Sequence, residues 1–295
     1  MARVLVAGVA VADFVFALDA LPTTPEKYKA RDADIMIGGC AANAAIAIAR
    51  LGGDAMLAAR LGDDLVADLI ASSLAGEGVD ARLLQRTAHA RTSFSSVFVD
   101  AAGERQIVNY RGAGLTEATD WLATDEPVAA VLADNRWPAL AEAAMALAAD
   151  RSVPGIIDAE PGTDLACLRA ATHVAFSRPG LKALTGHAAI ETGLRAAHGL
   201  VPGWIAVTDG ANGVYVVAND GAIAHVPGYT VDVRDTLAAG DVWHGAFALR
   251  LGEGTDELEA ARFANAVAAI KCTQFGGVKG TPGRLAVDQL IEEQG

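Results

Sequence analysis

The sequence predicts an α/β protein: a three-layer α/β/α arrangement around a mostly parallel sheet, with a small β-sheet lid. Two observations carry that expectation. Short, wholly apolar runs alternate with longer, alanine-rich helical segments, the pattern of parallel strands buried on both faces. Two stretches, 13–37 and 91–110, break the rhythm with half-apolar alternation and turn residues, which places them outside that core as a lid. No linker or repeat divides the chain, so 1–295 reads as a single domain.

Taken in order, "RVLVAGVAV" (3–11) is one continuous buried strand, followed by the short lid strands of 13–37. "GGCAANAAIAIARLGG" (38–53) supplies a glycine turn, a helix of small residues and a glycine stop. "AMLAARLGDD" is a second buried strand and "DLVADLIASSLAGEGVD" an amphipathic helix. "RTSFSSVFVDAAGERQIVNY" (91–110) is a hairpin turning at "DAAGE". Further strands are expected at 129–134, 154–160, 173–177, 204–210 and 213–219, with helices around 137–150, 163–171, 179–198, 241–251 and 255–274.

Composition narrows the function. A formal charge of −13 disfavours nucleic acid or an anionic membrane as partner. Cationic side chains that meet an anionic substrate must then be concentrated locally. Three cysteines, widely spaced, form no disulfide framework or zinc pattern, so a reducing, cytoplasmic setting is expected. No apolar run reaches the length of a membrane span, and the start of the chain enters a strand without a cleavable signal pattern. The P-loop, nucleophile-elbow, zinc-protease and dinucleotide glycine motifs are all absent. The scattered histidines offer no metal cluster, and His244 reads as a helix-surface or core residue.

"DTLAAGD" (235–241) places small residues where a helix begins. Unpaired N–H groups and the helix dipole make such a turn a site for an anion, and a carboxylate beside it can take a proton from an attacking hydroxyl. Asp241 therefore reads either as a helix cap or as a general base. Asn43, on the first turn after Gly38 and Gly39, either points an amide at a sugar hydroxyl or caps and packs.

The two glycine motifs, in this order and at this separation, resemble the ribokinase-like (PfkB) carbohydrate kinases, over nearly the whole chain. The resemblance implies transfer of the ATP γ-phosphate to a sugar hydroxyl, with ATP and Mg²⁺ as cofactors. Carried over by position, Asp241 is the base, and the amides of Ala238, Ala239, Gly240 and Asp241 form the anion hole. Asp13, Gly38, Gly39 and Asn43 line the sugar site; Thr208, Gly210 and Asn265 hold the nucleotide; Asp235 binds a monovalent cation such as K⁺. This chain departs from the family pattern at three places. Ala238 stands where the family's turn begins with glycine, so the anion hole survives only if that position needs no positive φ. Leu237 replaces the usual threonine, and the N-x-x-E motif is replaced by Ser177 and Gly180.

Lys27, Asn109 and Arg136 add a cationic and amide cluster suited to a substrate that is already anionic. The text around them, "VNYRG" and "LADNRWP" among others, resembles the sulfofructose kinases of sulfoglycolysis. That implies 6-deoxy-6-sulfofructose phosphorylated at its 1-hydroxyl, with Lys27, Asn109 and Arg136 on the sulfonate. A fructokinase or other ketose kinase, and a non-catalytic sugar sensor, are the alternatives. The half-apolar lid strands imply a homodimer formed through the lid.

Overall fold

The computed structural model describes residues 1–294 apart from 103, 123, 124, 219 and 220. Gly103, within the expected hairpin turn, and Asn219, at the end of an expected strand, lie outside them. In chain order the strands are β1 (Arg3–Ala7), β2 (Val11–Ala17), β3 (Asp32–Gly38), β4 (Asp54–Gly62), β5 (Asp80–Thr87), β6 (Phe94–Val99), β7 (Arg105–Tyr110), β8 (Ala130–Ala133), β9 (Gly155–Ala159), β10 (His173–Ser177), β11 (Trp204–Thr208), β12 (Val214–Val217) and β13 (Ile223–Val226). The helices are α1 (Cys40–Arg50), α2 (Leu65–Gly76), α3 (Pro138–Arg151), α4 (Leu165–Ala170), α5 (Arg178–Thr185), α6 (Ile190–His198), α7 (Ala239–Gly252), α8 (Glu257–Cys272) and α9 (Arg284–Gln294).

The large sheet has the order β13-β12-β11-β10-β9-β8-β1-β4-β5. Its neighbours are parallel from β5 to β11, and β12 and β13 are added antiparallel at one edge. Alternate residues of β1 divide between two cores: Val4 and Val6 pack with α1, α7 and α8, while Leu5 and Ala7 pack with α3. A strand buried on both faces must be apolar at every position, which is why these runs were legible as sheet.

The second, smaller sheet is the lid, ordered β3-β2-β6-β7. Cross-strand register puts Met36, Asp13, Ser95 and Asn109 in one row. Alternation then turns Phe14, Phe94 and Tyr110 to the opposite face, where their rings contact one another. Both edge strands are tied to the main body by ion pairs: Arg105 on β7 reaches Asp235 at 2.8 Å, and Asp34 on β3 pairs with Lys279.

Several boundaries differ from the sequence expectation. The run 3–11 is not one strand, because the chain leaves the main sheet at Gly8 and enters the lid at Val11. A Cβ on Gly8 would lie 2.2 Å from the Asp134 carboxylate, so only glycine lets that side chain in. The expected helix 179–198 is two helices, since Gly186 ends α5 in the left-handed conformation. The expected helix from 241 begins at Ala239. Strands β5 and β13 and helix α9 are additional to the expected elements; β5, at a sheet edge, is half-buried at most positions.

Candidate active site

Asp241 is the third residue of α7, whose N-cap is Ala238 and carries no side-chain cap bond. The carboxylate is therefore not the helix cap. Ala238 sits at φ 62°, ψ 11°, in the left-handed region, where an L-residue other than Gly, Asn or Asp is strained. The turn does require positive φ at this position, and alanine adopts it. The Ala239 N–H donates to Thr236 O at 3.2 Å. The N–H groups of Gly240 and Asp241 make no hydrogen bond among the described residues; they are first-turn donors open to an anion.

Small residues bring the opposite wall close. Alanines occupy much of the buried face of α1, and a Cβ on Gly245 of α7 would stand 2.5 Å from Ala44 O. With the helices this near, Asn43 Nδ2 donates to Asp241 Oδ2 at 2.7 Å. The two sequence motifs, 198 positions apart, thus meet in one hydrogen bond.

The sugar-side residues split into those that converge and one that does not. A Cβ on Gly38 would fall 2.1 Å from Asp13 Oδ2, and one on Gly39, at φ 96°, would meet Val9 O at 2.4 Å. Gly38 admits the Asp13 carboxylate, and Gly39 lets the chain turn into α1. Burial raises the Asp13 pKa, against a lowering bond from Ser95. Asn109 Nδ2 donates to Ser95 Oγ at 3.1 Å, extending the polar row Asp13–Ser95–Asn109 across the lid. Arg136 is exposed, with the Cys40 thiol as a side-chain partner and Asp134 and Glu160 nearby. Lys27 lies in the exposed 18–31 loop and makes no ion pair among the described residues, so nothing ties it to Asn109 and Arg136.

Sequence reasoning missed Asp134, Ser95 and Cys40. Asp134 is buried and accepts from the amides of Val9, Ala41 and Arg136, at 2.8, 3.2 and 2.9 Å. It fixes together the strand crossing at Gly8, the start of α1 and the base of Arg136. Its partners come from three separate parts of the chain, so no local pattern announces it.

Three acid groups crowd this region: the ligand atoms of Cys40, Asp158 and Asp241 all lie within 4.8 Å of one another. Burial pushes the Asp158 carboxyl up to about 7, with His244 opposing and Asp241, Glu160 and Asp134 adding to the rise. His244 Nε2 is 3.6 Å from Asp158 Oδ1. Burial also drives the Cys40 thiol well above its usual value. Where the N-x-x-E carboxylate would stand, Ser177 Oγ caps α5 by accepting from Gly180 N, and a Cβ on Gly180 would meet Ala159 O at 2.0 Å. Neither position can offer a carboxylate.

Beyond α7 lies a cavity of about 510 Å³, lined by Thr208, Gly210, Ala239, Gly240, Trp243 and Asn265 among others. All three residues expected to hold a nucleotide line it. The side chain of Asn265 is spent on structure, however: its amide donates to Val226 O and Pro227 O, and its oxygen accepts from Trp243 Nε1. It shapes the cavity wall and has no free donor to aim at a base. Asp235, expected to bind a monovalent cation, is also engaged. Oδ1 accepts from Arg105 and the Leu237 amide, Oδ2 from the amides of Gly276 and Gly277, and its main-chain oxygen from Lys271 Nζ. The residues present do not fit an added cation there.

The pfkB family carbohydrate kinase model matches residues 1–283. This chain belongs to the PfkB carbohydrate kinases. It is 28% identical to the ribokinase of Bacillus subtilis (strain 168), over 99% of this chain and 100% of that protein. It is 31% identical to fructokinase-1 of Oryza sativa subsp. japonica, over 86% of this chain and 88% of that one. Arabidopsis thaliana ribokinase, solved with ribose and ATP, superimposes with a TM-score of 0.86 at 25% identity, covering 99% of both chains. The PfkB chain is accordingly a sugar phosphotransferase, of a family that uses ATP, and none of its described helices is long and apolar enough to cross a membrane.

Two outcomes follow from the geometry of this PfkB kinase. Ala238→Gly removes about 1–2 kcal/mol of left-handed strain against roughly 0.5–1 kcal/mol of added unfolded-state freedom. The urea midpoint should rise slightly; a fall would show that the turn is unstrained. The second outcome concerns pH. Asp158 stays protonated in the fold up to about 7, while in the unfolded chain it ionises near the ordinary carboxylate value of about 4. Between these values the folded state holds the extra proton, so this group's contribution to stability falls as pH rises, and the loss is complete above about 7. Asp158→Asn should therefore lose less melting temperature than wild type between pH 5.5 and 8, and parallel profiles would contradict the assignment.

Proposed function

We propose that this kinase transfers the γ-phosphate of ATP to the 1-hydroxyl of 6-deoxy-6-sulfofructose. The observation that carries the substrate reading is Arg136. It is a planar cation at the C-terminal end of β8 beside the cleft thiol Cys40, and it makes no ion pair among the described residues. In a chain of formal charge −13, an unpaired guanidinium beside the cleft suits an anionic substituent, which it can grip with paired donors. Asn109, on the polar lid row, is a second donor for that group. Lys27 joins them only if its loop turns inward.

In this reading the sugar lies between the lid row and α1, with Asp13 on its hydroxyls. The Asn43 bond fixes the Asp241 carboxylate, whose free oxygen takes the proton as the 1-oxygen attacks the γ-phosphorus. The bond from that phosphorus to the bridging β–γ oxygen breaks and ADP leaves. The N–H groups of Gly240 and Asp241 and the α7 dipole hold the charge on the phosphoryl in flight. ATP occupies the cavity lined by Thr208 and Gly210, whose glycines and alanines leave room for it. Mg²⁺ arriving with the ATP phosphates would offset their charge, and Asp158, ionised beside that ion, would hold its waters.

The deciding experiment is a panel of sulfofructose, fructose, fructose 6-phosphate, ribose and tagatose with ATP and Mg²⁺. Wild type should prefer sulfofructose. Arg136→Ala should cut kcat/KM for it by roughly 10–150-fold, the worth of a charged hydrogen bond, with little change for fructose. Equal losses on both would remove the sulfonate reading and favour a neutral ketose, as in the fructokinase relative. Asp241→Asn should lower kcat by about 10²–10⁴-fold without weakening sugar binding; retained turnover would take the base role from it.

The lid's outer face supports a homodimer. Phe14 and Phe16 lie there beside Ile35 and Val108, which are 50% and 62% exposed. A second lid laid on this face would bury these side chains. Sedimentation at micromolar concentration should give a dimer, and a sharp monomer would refute it.

A further inference from the structure

Lys271 has no exposure to solvent, an unusual state for a lysine, and the reaction as described leaves it without a part. It lies in the last turn of α8. Its Nζ donates to the main-chain oxygen of Asp235 at 2.7 Å and stands 3.7 Å from Asp235 Oδ2. Around the same residue, Oδ1 accepts from Arg105 at 2.8 Å and from the Leu237 amide at 2.9 Å. Oδ2 accepts from Gly276 and Gly277 at 3.1 and 2.9 Å. Both of these glycines have positive φ, which lets two successive amides face one carboxylate.

Every oxygen that Asp235 could offer a metal ion is therefore already an acceptor, and a fixed ammonium stands among them. Buried charge is tolerated only when paired and hydrogen-bonded. Here the pairing is complete: burial works against ionisation of Asp235, but the amides and the Lys271 charge outweigh it and hold the carboxyl below its usual value. The segment leaving Asp235 runs directly into the 238–241 turn. Two further bonds, from the amides of Arg234 and Asp235 to Cys272 O, anchor it to the same end of α8.

We propose that Lys271 is a built-in cation that replaces an exchangeable monovalent ion, positioning the 235–241 segment so that the kinase needs no K⁺. Lys271 acts through that segment and touches neither sugar nor nucleotide, so it is a positioning residue. The proposal rests on the reading of 238–241 as the anion site. It assigns no metal to Asp235.

The test is a cation series on the full chain, using whichever panel sugar it phosphorylates. At constant ionic strength, K⁺, Na⁺ and NH₄⁺ are each compared with tetramethylammonium as the sole monovalent cation. Wild-type kcat should vary by less than about twofold, as expected when no ion binding is coupled to turnover. A rise of about tenfold or more with K⁺ overturns the proposal, and this arm needs no variant to fold. Lys271→Ala opens room for an ion. Its kcat should fall about tenfold or more with sugar KM little changed, the pattern of a lost positioning interaction. NH₄⁺ or K⁺ should then restore part of the rate. A folded variant that no cation rescues counts against the replacement role.

A readout independent of turnover is the melting temperature. K⁺ should leave that of wild type unmoved and raise that of Lys271→Ala, because an ion that binds only the folded state stabilises it. If the 238–241 reading fails while Lys271 still replaces an ion, the melting series holds although the rates do not respond. If the ion replacement fails, wild type itself melts higher in K⁺.

Discussion

The close contact between α1 and α7 is the constraint on which the site depends. Gly245 lies against the Ala44 carbonyl, where no Cβ fits, and the alanines of α1 leave nothing to hold the helices further apart. Only at this separation does the Asn43 amide reach Asp241, the bond that ties the first glycine motif to the second. The lid row of Asp13, Ser95 and Asn109 belongs to the smaller sheet and meets this site where Gly38 admits the Asp13 carboxylate. A larger residue at 245 would therefore act on the geometry of the carboxylate as much as on the core. Loss of packing and loss of chemistry would be inseparable there, unlike at Arg136.

Charge is handled locally in a molecule that is strongly acidic as a whole. Asp134, Asp158 and Asp241 influence one another through a poorly solvated interior, and burial raises the first two. Asp134 is made tolerable by three amide donors and Asp158 by His244. Three cations stand near α7 and its turn: Arg136 near Cys40, and Arg105 with Lys271 at Asp235. Two are consumed by Asp235 in fixing the loop that leads to α7. The third has the Cys40 thiol as its side-chain partner and makes no ion pair among the described residues.

The parallel core was legible because strands buried on both faces must be apolar throughout, and the lid because its strands are not. What stayed hidden has a common cause, dependence on partners far along the chain. Gly8 looks like one more small residue in an apolar run until Asp134, more than a hundred positions away, is seen to occupy the space of its missing side chain. Lys271 looks like an ordinary last-turn cation of a helix until Asp235 is placed beside it. Asp241 and Asn43 could be singled out from the sequence because each sits in a local pattern of glycine, small residue and helix start. Lys27 goes with Arg136 on charge and on the resemblance of the surrounding text, and neither says where a loop goes.

Ala238 carries a consequence for how such proteins are found. A search string that demands glycine as the first letter of this turn passes over the chain, although its alanine holds the left-handed φ of 62°. At a cost of about 1–2 kcal/mol, alanine lies within what a domain of this size can carry. What persists at that position is a torsion angle, and letters record it only indirectly.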